Sequence, residues 1–129
     1  MSFKKEDKYK MTGIEKIIKL YQGIDVKTYI NAFGNMIIMP KDKRLIRPKL
    51  YLRKSEDTIT LATIEVAIDN KGTATKIIEE LIRIGMNSDE IRTVEIENIL
   101  SPALKHIAVD KFKFTEDEFS KKTYVLNLD

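Results

Sequence analysis

The stretch best suited to chemistry runs from Ile64 to Ile78. Ile64, Val66 and Ile68 are β-branched residues at alternate positions, the period of a strand. Asp69 to Thr73 is a polar break that contains Gly72. Ala74 to Ile84 then carries Ile77, Ile78, Leu81 and Ile82 at helical spacing. A strand that passes through a short glycine turn into a helix brings the helix's first N–H groups to the strand's end, where they have no partner within the helix. With the positive end of the helix dipole they make a site for an anion, a phosphate above all. Gly72 and Ala74 would let a ligand approach the backbone, Thr73 and Thr75 could add hydroxyls, and Lys71 could add a charge. The same pattern fits an ordinary strand-to-helix connection in which glycine only shapes the turn.

Other chemistries are excluded by residue type. The chain has no cysteine, so a thiol nucleophile, a disulfide scaffold and a cysteine zinc site are ruled out. Its one histidine, His106, cannot make a histidine-rich metal centre, and any catalytic triad would have to be built on it. Lys41, Lys43, Arg44, Arg47, Lys49, Arg53 and Lys54 form a basic cluster interleaved with Tyr51. It suits an acidic partner (nucleic acid, acidic protein or the phosphates of a cofactor), or it is a solvated hairpin whose lysines protect a sheet edge. No base-reading motif accompanies it, which points away from nucleic acid. The balance of 23 Lys and Arg against 20 Asp and Glu gives a net charge of only +3.

The elements that must position these residues follow from periodicity. Residues 1–11 read as a charged, solvated arm, with one domain over the whole chain. Thr12 and Glu15 have capping-box spacing, and Ile14, Ile17, Ile18 and Tyr21 continue a helix that Gly23 ends. Asp25 caps an expected second short helix with Val26, Tyr29, Ile30 and Phe33 on one face and Gly34 as its stop. Strands are expected at Met36–Met39, Leu50–Leu52 and Thr58–Ile68, the last with a bulge around Ala62 and Thr63, where its alternation slips. The helix after Gly72 ends at Gly85 as its C′ residue. Thr93–Ile96 is a strand, and Ser101-Pro102 starts a helix with Ala103, Leu104, Ile107 and Ala108 buried. Phe112–Phe114 and Thr123–Leu128 are the last two strands. This order gives an α/β or α+β fold with a mixed sheet. No apolar run approaches the ~20 residues of a membrane helix. The charged first ten residues are no secretory signal, so the expected location is cytoplasmic.

The run Lys71-Gly72-Thr73-Ala74-Thr75-Lys76-Ile77-Ile78 resembles the pyrophosphate loop and following helix of the GNAT N-acetyltransferase superfamily, whose loop reads Gln/Arg-x-x-Gly-x-Gly/Ala. Gly72 and Ala74 match its last two fixed positions, whereas the first falls on Asp69, whose charge works against a diphosphate. Val94 to Pro102 resembles the family's fifth strand and its exit, with Asn98 at the usual asparagine. Lys111-Phe112 or Lys113-Phe114 falls where Gly-Phe is usual. The resemblance spans Leu61 to Leu128, and the stretch is similar to short GNAT-like proteins of bacteria and phages. It implies a mixed, mostly antiparallel sheet flanked by helices, with splayed central strands. It also implies acetyl-coenzyme A as co-substrate and an amine acceptor, small molecule or protein, with the chain acting alone or as a homodimer. Asn70, Lys71, Gly72, Thr73, Ala74 and Thr75 would hold the pyrophosphate, Val66 and its strand edge the pantetheine arm, and Asn98 the pantetheine or the next helix. Glu65, on the face opposite Ile64 and Val66, is the candidate base, ahead of Glu95 and Glu97. The family's tyrosine acid is replaced by Ile107 or Val109, leaving His106 and Tyr124 as substitutes. The turn between Val66 and Gly72 is also shorter than usual. The alternative is a GNAT-like fold that has lost catalysis and binds a macromolecular partner.

Overall fold

The computed structural model describes residues 2–66, 72–99 and 101–129. Two helices, α1 (Asp7–Lys10) and α2 (Thr12–Gln22), precede four antiparallel strands, β1 (Val26–Ile30), β2 (Met36–Pro40), β3 (Lys49–Ser55) and β4 (Thr58–Glu65). Helix α3 (Thr73–Met86) leads to β5 (Thr93–Ile96). Helix α4 (Pro102–His106) runs on into a π-helical turn, Ile107–Lys111, and β6 (Thr115–Glu116) and β7 (Tyr124–Asn127) complete the chain. The strands form one sheet in the order β1-β2-β3-β4-β5-β7-β6, and β4–β5 is its parallel pair among the described residues. A parallel neighbour needs a crossover of a dozen residues or more, and α3 supplies it.

Register places Met36, Ile38, Leu50, Leu52, Leu61, Ile59, Val94 and Ile96 on one face of the sheet. All are buried, in one cluster with Ile14 and Ile18 of α2 and Ile77, Ile78 and Leu81 of α3. These helical positions recur every three or four residues, so each helix turns one apolar stripe to the sheet. The expected bulge is present: Tyr51 faces Thr63 and Leu52 faces Leu61, leaving Ala62 without an opposite residue.

Several elements differ from the expectation. The stretch from Asp25 is strand β1, not a helix, and pairs Val26 with Pro40 through Ile30 with Met36. Val26, Thr28 and Ile30 alternate toward the core, and the hydrophobic spacing that suited a helix suits a five-residue strand equally well. Phe33 ends in the β1–β2 turn, 84% exposed. Residues 1–11 are not a loose arm among the residues described. Phe3 and Met11 are buried, and the Lys4 amide donates to Asp7 Oδ2 at 2.7 Å. The capping box at Thr12 does not form, because α1 already precedes it. Thr12 Oγ1 donates to the Tyr9 carbonyl at 2.8 Å, while Glu15 accepts from Thr28 Oγ1 at 2.6 Å. Gly23 does end α2. Phe112–Phe114 is not a strand but the exit of the π-helical turn, where the Phe114 amide donates to the Ala108 carbonyl at 2.9 Å. Ala103, expected in the core, is exposed.

Gly85 does not stop α3, which continues to Met86. A Cβ at Gly85 would lie 2.6 Å from Leu128 Cδ1 and 3.3 Å from Ile91 Cγ2, so glycine serves close packing there. Gly85→Val is expected to cost about 1–3 kcal/mol by overpacking, read as a lower urea midpoint with an unchanged slope. Gly85→Ala should cost less, because the tip of Leu128 can swing away.

On α3, Arg83 Nε donates to Glu80 Oε1 at 2.8 Å, and this bond holds the Glu80 carboxyl below its ordinary value of 4.5. A carboxyl depressed by folding contributes stability above its unfolded pKa and loses it as pH falls through the folded value. Glu80→Gln should therefore melt lower than the parent at pH 7, with the gap closing on acidification below about pH 4.5.

Candidate functional site

The parallel pairing of β4 and β5 runs from Thr58↔Thr93 to Leu61↔Ile96 and ends with the Glu97 amide donating to the Leu61 carbonyl at 3.1 Å. Beyond that point the strands part. β4 continues to Glu65, supported by β3 through Tyr51↔Thr63, Leu50↔Ile64 and Lys49↔Glu65. The other strand turns away at Asn98, which has φ 52°, and the next amide, of Ile99, donates to the Lys122 carbonyl at 2.8 Å beside β7. The β4 edge from Ala62 to Val66 that faces β5 thus has no ladder partner among the described residues. The result is a wedge whose apex is Leu61–Ile96 and whose mouth lies at the end of β4.

Helix α3 begins at the same end of the sheet. Its N-cap, Gly72, is exposed, with φ 86°, a backbone region that costs a residue with a Cβ about 1–2 kcal/mol. Among the described residues, a Cβ built on Gly72 would meet nothing within 4 Å. The first turn, from Thr73 to Lys76, contains no acidic residue to offset the positive end of the dipole.

The sequence-derived site residues are distributed as follows. Val66 is half-buried against the core at the end of β4. Gly72 is exposed, Ala74 is buried and Thr75 is half-buried. Thr73 differs from the expected hydroxyl donor to a ligand: it is buried, and its Oγ1 accepts from Gln22 Nε2 at 2.6 Å. That bond ties the last turn of α2 to the first turn of α3. Nothing near Gln22 in the sequence signals it, because the two residues are 51 positions apart. Asn70 and Lys71, with Asp69, lie outside the described residues. Asn98 is exposed, and its left-handed backbone, which asparagine tolerates better than most residues, turns the chain away from β4.

Glu65 is exposed at the wedge mouth, with its Oε2 3.6 Å from Arg47 Nε. Register with β3 puts Glu65, Thr63 and Thr60 on the sheet face opposite the α2–α3 core, and Glu95 and Glu97 share it. Glu95 Oε1 accepts from Thr60 Oγ1 at 3.1 Å, and Glu97 is ion-paired with Arg53. Glu65 is therefore the carboxylate of the three that stands on the unpaired length of β4.

The substitute acids fare differently. Tyr124 is buried opposite Ile96, away from the wedge mouth. His106 is exposed on α4, with Nδ1 2.6 Å from Asp110 Oδ2.

The basic cluster does not form a single patch. Lys54 pairs with Glu90 at 2.9 Å at the opposite end of the sheet, and Arg53 is paired with Glu97. The loop from Lys41 to Pro48, with Lys49 at its foot, stands beside Glu65 at the wedge mouth. Among the described residues no cluster of His, Asp and Glu could hold a metal ion, and no helix is long and apolar enough to cross a membrane.

A seven-stranded, mostly antiparallel sheet, parted at one parallel pair with a helix N-terminus at the parting, is the architecture of the GNAT acetyltransferases. Comparison with solved structures agrees. A GNAT-family acetyltransferase from Staphylococcus aureus Mu50 matches all of this chain and 98% of its own, with TM-score 0.54 and 14% identity. The ribosomal-protein-S18-alanine N-acetyltransferase of Escherichia coli matches all of this chain and 92% of its own, with TM-score 0.52 and 15% identity. No protein-family model and no curated protein sequence matches the chain. The chain has the GNAT fold at a sequence identity that speaks for architecture alone.

Proposed function

We propose that the protein is an N-acetyltransferase that moves the acetyl group of acetyl-coenzyme A to a primary amine. The observation that carries this reading is the β4 edge, without a ladder partner among the described residues, at the end of the sheet where α3 begins with an exposed Gly72 and no acidic residue in its first turn. A pantetheine arm, with its amide groups, can pair with such an edge as an added strand does. The diphosphate would then meet the α3 terminus at Gly72 to Thr75, where backbone N–H groups and the dipole favour negative charge.

The chemistry asks little else of the chain. The acceptor must attack as a free amine, and Glu65 stands at the wedge mouth to take its proton. The amine nitrogen bonds to the thioester carbon, and the oxygen that becomes an oxyanion is met by β4 amides near Val66. Collapse breaks the C–S bond, and the thiolate leaves with little need of an acid because thiols ionise readily. Loss of the usual tyrosine is compatible with this, since it removes the least demanding of the roles.

The test is a calorimetric titration with acetyl-coenzyme A, paired with release of free thiol across a panel of amines. Micromolar binding and amine-dependent release support the reading. No heat at millimolar ligand would overturn it and leave a GNAT fold used for binding a macromolecule.

A further inference from the structure

The loop Lys41–Pro48 carries four cations and one carboxylate in eight residues. Its shape is set from within. Asp42 Oδ1 accepts from the Arg44 amide and from Arg44 Nε, each at 3.0 Å, and the Leu45 amide donates to the Asp42 carbonyl at 3.0 Å. The Lys41 amide donates to the Asp25 carbonyl at 3.0 Å, and Pro48 is buried at the loop's foot. A loop fixed in this way presents its tip without an ordering cost on binding. The tip holds two aliphatic side chains in solvent, Leu45 at 40% and Ile46 at 79% exposure. Lys41 and Lys43 beside them make no ion pair among the described residues. The loop then enters β3 at Lys49, directly across from Glu65, and Arg47 contacts Glu65 itself.

We propose that the acceptor amine is carried by an acidic polypeptide segment that docks on this loop, its carboxylates on Lys41 and Lys43 and an apolar side chain on Leu45 and Ile46. This rests on the acetyltransferase reading, because it is the loop's continuity with Glu65 that turns a docking surface into an acceptor site. Charge complementarity selects an acidic partner. Single-stranded nucleic acid would want aromatic platforms for its bases. The tip is aliphatic, and the nearby Tyr51 is half-buried with its hydroxyl accepting from Asn31 and Asn35. An anionic membrane would want a broader apolar face than one exposed isoleucine and one partly exposed leucine.

The experiment uses the full chain and fluorescein-labelled dodecapeptides without any acetyl donor. One peptide is rich in Asp, Glu and Leu; a second replaces its carboxylates by amides. A dodecameric single-stranded DNA and phosphatidylserine vesicles are the competing probes. The acidic peptide should bind at least about tenfold more tightly than the amide version, with affinity falling as salt rises. Lys43→Glu should weaken it about tenfold and Ile46→Ser about threefold, in proteins whose melting is unchanged because both side chains are exposed. Equal binding of the two peptides, tighter binding of the DNA or the vesicles, or no effect of Lys43→Glu would overturn the proposal. Titration with acetyl-coenzyme A separates the two readings. A chain that binds the nucleotide but not the acidic peptide loses only the docking proposal. A chain that binds the peptide but not the nucleotide loses both acetyl transfer and the assignment of the peptide as acceptor.

Discussion

Gly72→Glu is expected to weaken acetyl-coenzyme A binding by about a hundredfold or more while the fold survives. A Cβ at Gly72 meets nothing within 4 Å among the described residues, so the new side chain displaces none of them. It also enters the space beside the α3 terminus, where a fixed carboxylate satisfies the dipole and repels a diphosphate. The φ of 86° strains any residue with a Cβ by about 1–2 kcal/mol, a drop of a few degrees in melting temperature. Gly72→Asn is the control. Asparagine tolerates that backbone and adds no charge, so affinity should stay within about tenfold of the parent. A Gly72→Glu protein that binds normally would remove the phosphates from this corner.

Glu65→Gln is expected to lower kcat by about a hundredfold, with KM for acetyl-coenzyme A little changed. The amide keeps the size of the side chain and can still donate toward the acceptor, but it cannot take a proton. Exposure of the residue makes a stability effect small, so a melting curve like the parent's separates lost chemistry from lost fold. The pH–rate profile is the sharper readout, because the limb that reports the base should vanish with the carboxylate. An unchanged profile would pass the role to Glu95 or Glu97, which share the face but are held by Thr60 and Arg53.

The centre of this fold was legible in the residues and its edges were not. The β4–α3–β5 unit was readable because each part carries a strong local signal: alternating β-branched residues, a glycine at the break, and a long apolar helical stripe. The bulge at Ala62 showed as a slip in that alternation. β1 is ambiguous in the sequence because an apolar set in so few residues satisfies both periods, and only the pairing of Val26 to Ile30 with β2 decides between them. The packing of residues 2–11 is hidden in the sequence because Phe3 and Met11 are isolated among charges, and their burial depends on surfaces distant in sequence. For the candidate site, residue type and position single out Gly72 and Glu65 as candidates. The Gln22–Thr73 bond and the Arg47–Glu65 contact are not legible there, because both join segments that come together only once the sheet and helices have packed.

An amide NMR titration of the isotope-labelled chain with coenzyme A reads the proposed cofactor site residue by residue. The largest shifts are expected at β4 residues 62–66 and at Gly72 to Thr75, with residues of the β3–β4 turn at the far end of the sheet unmoved. Shifts centred elsewhere, or none at millimolar ligand, would contradict that site.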